Sequence, residues 1–209
     1  MEDRYLSVIT NFGCHYTCPY CIVKNNNLHI PDTTIEGLNK LEYYIREIGA
    51  NIVSVSGGGD PLFQYNQHKD WYDKLFEILD RNNCKFELHT SYFINDFPSE
   101  KYHRIVYHLR NIEDIDRVVK KRENILRIVY VIQDKFSTED INTIYSKFSN
   151  SNIDELSFRQ RVDKDFKISY HLHDFLLENH KKKWWYIQQS NYNTYYAENE
   201  IHSEFNEFK

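Results

Sequence analysis

CHYTCPYC, residues 14–21, places three cysteines within eight positions, spaced C-x3-C-x2-C, with Tyr20 directly before the last. The chain has only four cysteines, so this clustering needs a chemical reason. YLSVIT, residues 5–10, stands just before it and reads as a strand, rich in β-branched residues. Three thiols on a tight loop suit a metal site. A cube of four irons takes four thiolates for full protein ligation, and a structural zinc takes four ligands. Cys84 opens a later strand, which places it on the rim opposite the strand-one loop, and it reads as a small buried hydrophobe. For zinc, His15 or His29 could complete the set, or Cys84 under a different strand reading. Unpaired structural thiols are the third alternative.

Outward from the loop, β-rich runs alternate with helical patterns. Thr33 and Glu36 form a capping box for a helix to Ile48, with an apolar stripe of Ile35, Leu38, Leu41, Ile45 and Ile48. A second strand, IVSVS (52–56), ends in Gly57-Gly58-Gly59 and Asp60. A helix over 70–81 carries Leu75, Phe76 and Leu79. Strands KFELHT (85–90), RIVYHL (104–109), LRIVYVI (126–132) and ELSFR (155–159) follow. Between them Pro98 opens a short helix, 112–122 reads as helical, and Ser137 with Asp140 caps a helix through Phe148. A last helix spans 170–180. The Tyr- and Asn-rich tail reads as extended or hairpin.

Six strands alternating with helices predict parallel βα units. Right-handed crossovers would curl them into an open partial (β/α)6 barrel. One α/β domain is expected over 1–209, with a core of about 4–180. Residues 181–209 form a C-terminal extension, read as a cover for the barrel's open side. Functional groups in such folds gather at the carboxyl ends of strands. The cysteine loop follows strand one and the glycine run follows strand two, so both fall on one rim. A glycine run alone is weak evidence, since tight turns explain most. Its place one βα unit after the cysteines makes it specific.

Composition sets the bounds. The 209 residues are 41% hydrophobic and 27% charged, enough for a core of one sizeable domain. A net charge of −5 argues against a general phosphate-backbone binder, though not against a single nucleotide. No apolar run approaches the roughly 20 residues that span a bilayer. The start, MEDRYLSVIT, lacks the apolar stretch of a signal peptide. A cytoplasmic, reducing setting is therefore expected, where clustered cysteines bind metal or do redox chemistry more often than they pair.

CHYTCPYC followed by GGGDP resembles the radical S-adenosylmethionine (SAM) superfamily, over roughly residues 4–160. The resemblance implies that Cys14, Cys18 and Cys21 hold a 4Fe-4S cluster whose open iron is chelated by SAM. It implies that the Tyr20 backbone contacts adenine and that Gly57, Gly58 and Gly59 receive the methionyl amino group. Asp60 stands where the family more often has Glu. The implied reaction is one-electron cleavage of SAM to a 5′-deoxyadenosyl radical, which takes hydrogen from a substrate. It needs an external electron donor such as flavodoxin or ferredoxin.

Strand ends supply the remaining candidates. Thr90, Ser91, Gln133 and Arg159 are read as SAM contacts. His108, Arg110 and Gln160 are read as substrate or catalytic groups. A strand-end polar residue is more often merely solvated than functional. HKKK (180–183) reads as a charged helix end, and Trp184, Trp185 and Tyr186 as packing groups. No second cysteine cluster follows the barrel and no cobalamin-binding domain fits before it. The expectation is a near-minimal single-cluster enzyme, outside the auxiliary-cluster members that modify peptides. Ile22-Val23 follow the third cysteine where the compact 7-carboxy-7-deazaguanine synthases have Asp-Thr, so that activity is not assigned. The first reading is an enzyme for a small-molecule or nucleotide-like substrate. The second is an activase installing a glycyl radical on a partner protein, and the third a non-catalytic zinc or iron–sulfur protein.

Overall fold

The computed structural model describes residues 2–94, 96–118, 124–189 and 194–209, with the side chains of residues 181 and 182 set aside. Strands β1 (Tyr5–Thr10), β2 (Ile52–Gly57), β3 (Lys85–Thr90), β4 (Arg104–Leu109), β5 (Ile125–Val131), β6 (Glu155–Arg159) and β7 (Trp185–Ile187) pair in chain order, all parallel. On the other side of β1, β8 (Thr194–Ala197) adds in parallel, and β9 (Glu200–His202) turns back against it as a hairpin. The order is β7-β6-β5-β4-β3-β2-β1-β8-β9. The C-terminal segment is thus part of the sheet, and its expected hairpin is present. The mixed α/β class and the parallel βα units stand. Among the described residues the hydrogen-bonded sheet is open, with β7 and β9 at its edges.

Helices α1 (Ile22–Asn25), α2 (Leu41–Ile48), α3 (Lys69–Arg81), α4 (Thr138–Ser149) and α5 (His173–Lys183) connect the strands. Their apolar faces follow helical spacing. Trp71, Tyr72, Leu75, Phe76, Ile78 and Leu79 of α3 are all buried, against Val53, Val55, Phe86 and Leu88 in one core. Ser137 and Asp140 cap α4 reciprocally, as the sequence predicts. Gly49 stops α2 in the left-handed region, at φ 68°.

Departures from the sequence reading have local causes. The helix expected from Thr33 splits into a 3-10 turn, Glu36–Leu38, and α2. The Glu198 carboxylate accepts from the Thr34 amide at 2.9 Å and the Thr34 hydroxyl at 2.6 Å, so the tail takes the donors of that first turn. Thr34, not Thr33, accepts from the Gly37 amide, while Thr33 accepts from Asn11. Ile35 consequently leaves the apolar stripe and is 43% exposed. The helix expected over 112–122 is a 3-10 turn over Ile112–Arg117, and positions 119–122 lie outside the described residues. Helix α5 begins at His173, three residues later than expected. The short α1 after the cysteines was not anticipated.

A parallel sheet covered on both faces has near-continuous apolar strands. Here polar residues recur every second position. Ser7, Ser54, Glu87, Arg104, His108, Arg127, Glu155, Ser157 and Arg159 share the face opposite the helices, through the strand registers. This inner face is closed at one end by a small second core of Ile9, Leu28, Ile30, Tyr195, Ala197 and Phe208, with Val23 and Phe166 against it. Asn26, after β1, donates to the Asp163 carbonyl, after β6, at 3.4 Å. In a flat sheet those exits would lie five strand spacings apart, about 24 Å. The segments after β1 and β6 therefore fold toward each other over the polar face.

Candidate functional site

The two loops expected on one rim are joined there. Asp60 N–H donates to the Gly13 carbonyl at 2.8 Å, and Gly59 N–H to the Thr10 carbonyl at 3.1 Å. A Cβ on Gly59 would lie 2.0 Å from the Gly13 oxygen, and Gly13 itself has φ +103°. Only glycine permits this approach. Gly57 adopts φ +135° beside the Thr10 backbone, and Gly58 abuts Ile30.

Asp60 is the fastener of the rim. Its carboxylate accepts from the Thr90 hydroxyl and the Ser91 amide, both at 2.7 Å, and from the Leu62 amide at 3.0 Å. Burial pushes its carboxyl above the ordinary range, and these hydrogen bonds oppose that shift. Thr90 and Ser91 thus have an observed partner in Asp60, at the end of β3. The sequence placed all three on the rim but not their mutual bonding.

Cys14 is exposed, Cys18 and Cys21 are half-buried, and all three are free thiols. The Cys18 thiol is pushed up by burial and then by Cys14 and Cys21, with Arg110 acting the other way. Among the described residues, no three His, Cys, Asp or Glu side chains converge as a metal site. The donor set fits an iron–sulfur cluster in kind: three free thiols on one loop beside a glycine cradle. Cys84 sits at the start of β3, half-buried, its thiol 3.5 Å from the Ala50 carbonyl. In a parallel sheet that is the end remote from the cysteine loop.

Aromatic groups brace the loop. His15 stacks on Tyr92 at 3.7 Å. The Arg110 guanidinium, just past β4, lies 3.5 Å over the Tyr16 ring. Arg110 also acts on the Tyr20 hydroxyl, which burial and Cys18 push up. Arg110 is thereby placed at the cysteine loop.

Below the rim, the inner face carries charges that the sequence reading left out. Arg104 pairs with Glu87 and lies 3.1 Å from Glu155, and Arg127 pairs with Glu155 at 2.7 Å. Burial favours a protonated Glu87, but His89, Arg104 and Arg127 hold its carboxyl below the usual range. His89 Nδ1 lies 3.2 Å from His108 Nε2. Burial pushes both histidines down, and Arg159 adds to this. The signal for these residues was the period-two polarity of KFELHT, RIVYHL and ELSFR. Gln160 is buried against β7, where it accepts from the Gln189 amide. Gln133 lies past β5, where its carbonyl accepts from Phe136. Neither is gathered with the histidines by an observed contact.

No protein-family model matches the chain, and no curated protein matches it. Among solved structures, it is similar in fold to SuiB of Streptococcus suis, whose structure was determined bound to the precursor peptide SuiA. The TM-score is 0.63 at 14% identity, over 90% of this chain. The chain spans 49% of the length of that structure. At this identity the likeness is one of fold. A truncated 3-deoxy-D-arabino-heptulosonate 7-phosphate synthase from Thermotoga maritima shares a weaker likeness, with TM-score 0.42 at 10% identity over 76% of this chain and 50% of that one. It has no bearing on the site. No helix among the described residues is long and apolar enough to cross a membrane.

Proposed function

We propose that the chain is the catalytic core of a radical SAM enzyme. The observation that carries this reading is the fused rim, in which the loop of Cys14, Cys18 and Cys21 and the run of Gly57, Gly58 and Gly59 interlock through Gly13, Gly59 and Asp60. Cys14, Cys18 and Cys21 would hold a 4Fe-4S cluster, and the glycine run would seat the methionyl end of SAM. When bound, cluster and SAM would supply one-electron radical chemistry toward a substrate C–H bond. The chain's own work is to position and enclose. Asp60 fixes the glycine loop to β3. Tyr20 offers its backbone to adenine, and Arg110 sets a cation beside the thiols. The polar inner face, partly covered by the segments after β1 and β6, receives substrate and limits water. Their approach supports the partial-barrel reading, and an external flavodoxin- or ferredoxin-like donor supplies the electron.

The substrate class extends to peptides as well as small molecules. SuiB was solved with its precursor peptide, and this chain corresponds to about half of that structure. Anaerobic purification with iron and sulfide analysis, then incubation with dithionite and SAM, tests the proposal. The expected result is a brown protein with about four irons per chain that releases 5′-deoxyadenosine. A colourless protein with stoichiometric zinc, and no iron even after reconstitution, overturns it. A glycyl-radical EPR doublet on a candidate partner would identify the activase alternative.

A further inference from the structure

We infer that the substrate of this site carries a carboxylate group, which Arg159 receives on the inner face of the sheet. This rests on the proposed function only in taking that face as the substrate side.

Among the described residues, the half-buried charges of the face leave one arginine over. Glu87 and Glu155 are matched by Arg104 and Arg127 in a continuous chain of ion pairs across β3, β4, β5 and β6. His89 and His108 bond each other, and burial disfavours their charged forms. Arg159, half-buried at the end of β6, has no ion pair or hydrogen bond from its side chain among the described residues. A guanidinium partly withdrawn from water is costly unless an anion meets it. One uncompensated charge matches a carboxylate, whose two oxygens fit the guanidinium fork. A phosphate dianion would need a second cation.

A donor stands beside it. Ser157 shares the strand and face, two residues or about 6.6 Å earlier. It is fully buried, and its hydroxyl has no hydrogen-bond partner among the described residues. A hydroxyl and a guanidinium together suit an oxyanion.

SAM also carries a carboxylate, and the rim separates the two candidates. The Arg110 guanidinium lies 3.5 Å over the Tyr16 ring, within the cysteine loop. Arg159 ends β6 on the inner face, in register with Val131 of β5 and on the same side of its strand as Glu155 and Ser157. Arg110, at the cysteine loop, would be the cation to meet a SAM carboxylate there, which leaves Arg159 for the substrate.

The test uses the anaerobically purified, iron-loaded chain. Its thermal unfolding is measured against a panel of carboxylates at constant ionic strength: amino acids, N-acetyl amino acids, short dicarboxylates and acidic dipeptides, each paired with its amide. At least one carboxylate should raise Tm saturably while its amide does not. Arg159→Gln should weaken that response by about tenfold or more, with Arg159→Lys intermediate. Calorimetry with S-adenosylhomocysteine should give Arg159→Gln an affinity within about twofold of wild type, the expectation for a residue off the cofactor. The inference is overturned if no carboxylate separates from its amide, or if Arg159→Gln keeps the response. A tenfold loss of S-adenosylhomocysteine affinity also overturns it, by assigning Arg159 to the cofactor. Should Arg159→Gln fail to fold, Arg159→Lys carries the same comparison. A wild-type chain without iron sinks the proposed function, while the carboxylate response stays measurable.

Discussion

Gly59 lies so close to Gly13 that a side chain on it would meet the Gly13 carbonyl oxygen at 2.0 Å. The obstacle is backbone, which cannot rotate aside. Gly59→Ala must therefore push the glycine loop off the cysteine loop. We expect a loss of about 2 kcal/mol or more, read as a lower urea midpoint, together with a lower iron content. Gly58→Ala meets the Ile30 side chain at 2.8 Å, which can give slightly, so its loss should be smaller. Equal effects would show that the two loops are not held by the Gly13–Gly59 approach.

The cysteines divide by position. Cys18→Ala should abolish iron binding and SAM cleavage, because it removes one of three ligands on the rim. Cys84→Ala should retain both, with a stability cost of about 1 kcal/mol for its half-buried thiol. Iron analysis of the two variants decides between them. Loss of the cluster in Cys84→Ala would make that residue a ligand and close the coordination position assigned to SAM.

Asp60 faces three donors and offers them two oxygens. Asp60→Asn keeps the shape but turns an NH2 toward N–H and O–H groups that also donate. At least one buried donor is left unmet, at a cost of about 1–3 kcal/mol. The expected signs are a lower urea midpoint and a shifted Ser91 amide resonance. An unchanged midpoint would show that the fastening is not energetic.

Much of this arrangement was legible in the residues. The strands show because β-branched runs are bounded by turn residues, and the rim follows from two loops leaving adjacent parallel strands. The Ser137–Asp140 cap depends only on neighbours in sequence. What stayed hidden depends on distant partners. Thr34 loses its helix start to Glu198, 164 positions away, and Asp60 is engaged by a strand end 30 positions on. The inner-face charges were visible as alternation. Which arginine is left over required the ion pairs themselves.

The His89–His108 pair gives the fold a pH dependence of known sign. A histidine ordinarily titrates near 6.5, and burial places His108 well below this. As pH falls through 6.5, the unfolded chain takes up a proton at position 108 that the folded chain does not. Protons then bind preferentially to the unfolded state, so stability falls with falling pH. His68, His89 and His103 are lowered as well and add in the same direction. Glu87, held below its ordinary 4.5, enters only in more acidic solution. Asp60, raised by burial, protonates first in the folded chain and opposes the histidines, so the comparison with His108→Gln isolates the histidine contribution. Urea midpoints should fall between pH 7.5 and 5.5, and less steeply in His108→Gln, which removes one contributor. In the folded protein the His108 ring resonances should stay flat across this range. A ring titrating near 6.5 would mean that the inner face is wet enough to charge it.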